Sequence, residues 1–290
     1  MNNYSAATHR STHLIDGLFV NEVVPTCISP PMPTIVFLHG AYQGWWVYED
    51  WQEYYALAGW RTIALSLRNH PGSYALEDHQ FLELQPDDYV SDVLKIADWL
   101  NTPFVLVAHS MGGVVGQKAA ERLPDLAALV LLGSGPPKGL GASRPKDLPS
   151  GSPSIPDYQQ VRRHMFGTID DGDYAEFHSR LVPETPSVMN QTGRGRVSVN
   201  PALIHAPVLA VDAENDRNQF GPAFVDFYSG DYIRVPGASH ALMLGPWGME
   251  VANAIHCWLN WRLSGFQYDN RPAWYNPQAG SGGREGNLES

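Results

Sequence analysis

Cysteine is almost missing from this chain: two in 290 residues, Cys27 and Cys257. Two thiols without paired spacing exclude a disulfide-built scaffold and a cysteine-type zinc site. Buried thiols in a reducing compartment are the expectation, with a single Cys27–Cys257 bridge left open. Positive charge is scarce as well. Lys and Arg number 19 against 30 Asp and Glu, a formal net charge of −11. Such a balance repels nucleic acid and anionic membranes and removes both from the expected partners. No apolar run approaches the roughly 20 residues that a membrane span requires, and the longest, such as "AALVLL", are strand-length. The opening "MNNYSAATHRSTHL" has no basic end leading into an apolar stretch. No secretory leader is therefore expected, and the cytoplasm is the expected compartment.

Hydrophobic residues make up 43% of the chain and charged residues 17%, enough for a sizeable core. Short apolar runs alternate with helical patterns, the signature of a mostly parallel sheet flanked by helices. "TIVFLHG" (34–40), "RTIALSL" (61–67), "PFVLVA" (103–108), "LAALVLLG" (126–133), "APVLAVDA" (206–213) and "DYIRVPG" (231–237) read as strands. "VYEDWQEYYALAGW" reads as a helix that Gly59 ends. Tyr89, Val93, Ile96 and Leu100 share one helical face, as do Val251, Ile255 and Leu259. The rhythm breaks between 136 and 205, where a stretch rich in Pro, Gly and Ser precedes short helical pieces. The expected organisation is a core of residues 1–135 and 206–266, a cap or lid insertion at 136–205, and a disordered tail at 267–290.

Within "FVLVAHSMGGVVGQKAAERLP", Ser110 stands where an apolar strand turns at once into a helix, with Ala108 two before it and Gly112 two after. That is the context of a nucleophile elbow, whose tight turn needs small neighbours and lifts the hydroxyl clear of the backbone. Serine alone is a weak nucleophile, so it needs a base, and the base needs an orienting carboxylate. His240, directly after the "DYIRV" strand, is placed to be the base; His109, His164, His178, His205 and His256 compete as ordinary structural histidines. Asp216, just beyond the "PVLAV" strand, is placed to be the acid, with Asp212 at the strand's end as its rival. The Met111 N–H, and an N–H from Ala41 after "TIVFLHG", are placed to form an oxyanion hole. Tyr42, Trp46 and Leu242 are the side chains expected to meet substrate.

With these residues in view, the chain resembles the α/β-hydrolase superfamily, in particular its small bacterial esterase- and lipase-like members. The matching stretches are "IVFLHGAYQGWWVYEDW", "GWRTIALSLRNHPGS", "LVAHSMGGVVGQKAAERLP", "PVLAVDAENDR" and "VPGASHALML", in the family's order and over roughly residues 34 to 263. The resemblance implies a Ser110–His240–Asp216 triad, an oxyanion hole from Ala41 and Met111, and a cap formed by the insertion. It also implies no cofactor and no metal. Ala108 departs from the commoner glycine, "SLRNHPGS" places Ser66 and Asn69 where the family has other residues, and Ala213 stands where it has glycine.

The expected activity is hydrolysis of a small carboxylic ester with an apolar acyl or aryl group, the chain's expected partner. Lactonase, thioesterase, carbon–carbon bond hydrolase, hydroxynitrile lyase and cofactor-free dioxygenase chemistry could use the same triad, and a ligand-binding receptor could retain it. Epoxide hydrolases and haloalkane dehalogenases would normally need aspartate at position 110.

Overall fold

The chain starts as an antiparallel hairpin, β1 (Thr8–Ile15) and β2 (Leu18–Pro25), closed by Asp16 and Gly17, both at positive φ. An Asp-Gly pair suits such a turn, because its backbone twist matches that of the flanking strands. The computed structural model describes residues 8–26, 32–153, 155–167 and 171–264. Six further strands follow: β3 (Thr34–Leu38), β4 (Thr62–Leu65), β5 (Phe104–His109), β6 (Ala128–Leu132), β7 (Val208–Ala213) and β8 (Asp231–Val235). They form one eight-stranded sheet in the order β1-β2-β4-β3-β5-β6-β7-β8, parallel from β4 to β8 and antiparallel at the β1–β2 and β2–β4 pairings.

Every residue of β3 to β7 is buried. Continuous apolar runs are what a strand needs when helices cover both faces of its sheet. Alternate residues feed two cores. Ile35, Phe37, Val105 and Val107 point to one, and Val36, Leu38, Leu106 and Ala108 to the other. The covering helices are α1 (Glu49–Leu57), α2 (Asp78–Glu83), α3 (Pro86–Leu100), α4 (Ser110–Ala120), α5 (Tyr158–Val161), α6 (Asp171–Ser179), α7 (Pro186–Gly193), α8 (Gly221–Tyr228) and α9 (Gly248–Ser264). Tyr89, Val93, Ile96 and Leu100 form the buried face of α3, and Val251, Ile255 and Leu259 that of α9.

All six expected strands form. The hairpin, α2, α7 and α8 were not expected from the sequence, and the expected first helix begins as a 3-10 turn at Trp45–Tyr48. Cys257 is buried on α9, whereas Cys27 and the 267–290 tail lie outside the described residues.

The insertion between β6 and β7 carries α5, a π-helical turn (Arg162–Phe166), α6 and α7. Main-chain bonds fasten it to the core: Val182 N–H donates to Tyr42 O and Ala241 N–H to Met165 O, each at 2.9 Å. A buried polar cluster adds a third attachment. His70 Nε2 lies 3.2 Å from Glu184 Oε2, and the Tyr89 hydroxyl donates to Glu184 Oε1 at 2.7 Å. The loop that carries His70 is itself held to α3, where Arg68 Nη2 donates to Asp92 Oδ1 at 2.7 Å. Ser66 and Asn69 brace this loop. Ser66 Oγ accepts from Trp45 N–H, and Asn69, at a φ of 60°, accepts from Leu76 N–H.

Burial opposes charge on His70, but the Glu184 carboxylate and the Arg68 carbonyl opposite its two nitrogens outweigh burial and raise its pKa. A group whose folded pKa is raised stabilises the fold fully below its unfolded value, about 6.5 for histidine, and that stabilisation fades as pH climbs through the folded value. The urea midpoint of the native protein should therefore fall between pH 6 and 8.5. His70→Asn should lower the midpoint at pH 6 and flatten its pH dependence, and an equally steep curve in the variant would remove His70 as the cause.

Candidate active site

Ser110 joins β5 to α4 with a φ of 54°, a left-handed conformation that few non-glycine residues adopt. The turn is feasible because α4 starts hard against β3. A Cβ at Gly112 would stand 2.2 Å from the His39 carbonyl oxygen, so only glycine allows that approach. Ala108 is accommodated by a neighbouring absence, since the nearest atom to a Cβ built on Gly116 would be the Ala108 Cβ.

Three side chains from separate loops meet here. His240 Nε2 lies 2.8 Å from Ser110 Oγ, and His240 Nδ1 lies 2.5 Å from Asp216 Oδ2. His240 and Asp216 are buried and Ser110 is half-buried. Burial would push the Asp216 carboxyl up. The charge of His240 and its hydrogen bond outweigh that effect and hold Asp216 below the usual carboxylate value. Asp212 is engaged elsewhere. Its Oδ2 accepts from Gly221 N–H at 2.8 Å, and burial pushes its pKa up to about 7.

Two other histidines flank His240. Burial takes the His109 pKa down to about 3, so the ring is neutral, and its Nε2 faces the His240 carbonyl at 2.9 Å. A neutral ring can hold the tautomer that donates to this carbonyl and so fixes the His240 main chain. His164, from the π-helical turn, stacks on the His240 ring with centroids 4.3 Å apart and 20° between planes. Burial and the His240 charge drive its pKa down to about 2. The sequence reading set both among structural histidines, and no spacing marks His164 as a neighbour of His240. Of the remaining competitors, His256 accepts from Trp60 Nε1–H, His178 meets the Tyr158 ring edge-on and His205 is exposed.

Ala41 and Met111 border the cavity beside Ser110. A second cavity shares Ala41, Tyr42 and Gln43 with the first and runs under the insertion to Leu148, Phe177 and Leu181. Tyr42 lines both. Trp46 and Leu242 line neither, a correction to the sequence reading. The 3-10 turn sends the Trp46 ring against Phe177, with centroids 5.4 Å apart, and beneath the Arg180 guanidinium. Leu242, in the turn that follows His240, is fully buried in the sheet core. The sequence reading did not anticipate Gln43, Arg144, Met165 or Arg217 as lining residues; nothing in their spacing separates them from loop residues.

Residues 35–253 match the model of the alpha/beta hydrolase family. The chain belongs to that family. Among solved structures, this hydrolase-family chain is similar to a variant of the N-acyl homoserine lactonase AidH complexed with N-hexanoyl homoserine. The two are 17% identical, with a TM-score of 0.66, and the match covers 90% of this chain and 99% of that one. It is also similar to the methylesterase MES16 from Arabidopsis (15% identity, 78% and 98% covered, TM-score 0.63). A third likeness is to the epoxide hydrolase CorEH (17% identity, 86% and 98% covered, TM-score 0.61). These likenesses are likenesses of fold. No match was found among curated proteins.

Among the described residues of this hydrolase-family chain, His164, Asp216 and His240 place three potential metal-ligand atoms within 4.8 Å of one another. Both His240 nitrogens already face Ser110 and Asp216, so a cation would have to break one of those bonds to bind there.

The elbow predicts two stability changes of opposite sign. Ser110→Gly relieves the left-handed strain and should raise the unfolding free energy by about 1 kcal/mol. Gly112→Ala drives a methyl into the His39 carbonyl and should lower it by about 2 kcal/mol or more. Urea denaturation followed by circular dichroism reads both.

Proposed function

We propose that the chain is a serine hydrolase that cleaves a carboxylic ester through a Ser110–His240–Asp216 triad and an acyl-enzyme. The observation that carries this reading is the unbroken contact from Ser110 Oγ through the His240 ring to Asp216, at 2.8 and 2.5 Å. In it a weak nucleophile meets a base, and the base meets a buried carboxylate that fixes its tautomer and supports the imidazolium. Ser110 attacks the ester carbonyl as His240 Nε2 takes its proton. The Ala41 and Met111 N–H groups receive the developing oxyanion, and His240 returns the proton to the leaving alcohol. Water then clears the acyl-enzyme by the same steps in reverse.

The insertion at 136–205 is proposed as the cap of this site, since Arg144, His164, Met165 and Met189 from it border the cavities. Val161, Met165, Phe177 and Leu181 give the second cavity an apolar wall suited to an acyl or aryl group. Among neighbours in fold, the lactonase and methylesterase names point the same way, and serine at position 110 disfavours the chemistry of the epoxide hydrolase. The cytoplasm is the proposed compartment, on the scarcity of cysteine.

A fluorophosphonate probe and p-nitrophenyl esters test the reading. Native protein should be labelled and should turn over ester, and Ser110→Ala should lose both. His240→Ala should lower turnover at least 1,000-fold in a protein that still folds. Asp216→Asn should lower kcat/KM by about 1,000- to 10,000-fold, while Asp212→Asn stays within a few-fold of native. A native protein that neither labels nor turns over any ester would end the proposal, and the reverse result for the two aspartates would exchange their roles.

A further inference from the structure

The two cavities meet at a wall that carries more positive charge than the rest of the chain would suggest. Arg144, from the insertion, and Arg217, directly after Asp216, border both cavities. Among the described residues, neither has a carboxylate within ion-pair reach, although Asp and Glu exceed Lys and Arg by 30 to 19 in the sequence. Burial and then the nearby Arg144 charge lower the Arg217 pKa, the Asp216 carboxylate offsetting them only in part, so the two cations repel each other across the gap. Arg217 is exposed and Arg144 half-buried, so water screens part of this repulsion, and an anion held between the two guanidinium groups would relieve the rest.

The position of Arg144 is built. Its N–H donates to Gly193 O at 2.9 Å, and its carbonyl accepts from Arg194 Nη1 at 2.7 Å. Its side-chain stem lies on Gly193, where a Cβ would stand 2.4 Å from the Arg144 Cδ. Its charge acts on the Tyr42 hydroxyl, although burial still pushes that group up to about 12. A further donor borders the same junction. Gln43 is buried, its Oε1 accepts from Gly40 N–H at 3.0 Å, and its Nε2 has no partner. A donor left unmet in a buried place costs free energy that an incoming acceptor returns.

Resting on the ester-hydrolase reading, we infer that the substrate carries a carboxylate besides its ester, held between Arg144 and Arg217 where the two cavities meet. The planar guanidinium fork matches a carboxylate in shape and charge. A single negative charge also costs less to bring beside Val114, Met165 and Met189 than a doubly charged phosphate would. In hydrolysis the acyl C–O bond breaks, and water supplies hydroxyl to the acyl carbon and hydrogen to the alkoxide. A monoalkyl dicarboxylate thus yields the dicarboxylic acid and an alcohol, and the second carboxylate is unchanged.

The test compares monomethyl with dimethyl esters of dicarboxylic acids of four to eight carbons, followed by methanol release. For at least one chain length, the native enzyme should favour the monoanion by about tenfold or more in kcat/KM, and rising salt should shrink the preference. The monoanion-to-diester ratio should fall about tenfold in Arg144→Gln and in Arg217→Gln, and should be kept in larger part by Arg144→Lys. A native enzyme that favours the diester at every length overturns the inference, as does an unchanged ratio in both glutamine variants. If no ester is turned over, calorimetry on Ser110→Ala separates the two readings. Binding of monomethyl but not dimethyl esters keeps the anion site and discards ester hydrolysis, and binding of neither discards the anion site too.

Discussion

The meeting of Ser110, His240 and Asp216 depends on one close approach, that of the first turn of α4 to the end of β3. With no side chain at Gly112, the helix settles against the His39 carbonyl, and the chain can reverse from β5 into α4 within a single residue. That residue takes up the strain, which leaves Ser110 at a left-handed φ with its hydroxyl beside the His240 ring. A looser junction would let the serine relax into ordinary helix or strand geometry and carry its oxygen away from the imidazole. Local instability at the elbow is thus the condition for alignment across three loops.

Around that junction the imidazoles have separate duties set by their surroundings. His109 is kept neutral by burial and faces the His240 carbonyl, so the ring nearest Ser110 in sequence steadies the main chain of the ring nearest it in space. His164 stacks on the His240 ring itself. His70 sits in the opposite electrostatic setting, beside Glu184, and favours its charged form. One residue type answers here to burial in two places and to a buried carboxylate in another.

The sheet was legible because β3 to β7 are short, largely apolar runs ending in glycine or a loop, and β8 alternates between buried and more exposed positions as an edge strand does. Ser110, His240 and Asp216 were legible because each follows a strand, which puts all three at one edge once the order of strands is known. The β1–β2 hairpin was harder to read. β1 is polar from Thr8 to His13 and exposed or half-buried throughout, and in β2 Asn21 and Glu22 interrupt the apolar residues, so no continuous apolar run announces them. The cavity walls were harder still. Trp46 and Leu242 sit beside the right motifs in sequence, yet a 3-10 turn and a tight loop send both side chains into packing. Arg144 and His164 reach the site through the path of the insertion, which contains a π-helical turn and no periodic pattern.

The bonds from Val182 to Tyr42 and from Ala241 to Met165 join main chain to main chain. Side-chain identity at these four positions is therefore decoupled from the stitching itself. Apart from Glu184, whose side chain fastens the segment to His70 and Tyr89, sequence can drift through residues 136–205 and retune the shape and charge that a ligand meets, while the same two peptide contacts go on anchoring the segment beside Ala41 and His240. Divergence of ligand preference within such a scaffold then needs no redesign of its moving parts, only new side chains on an unchanged thread.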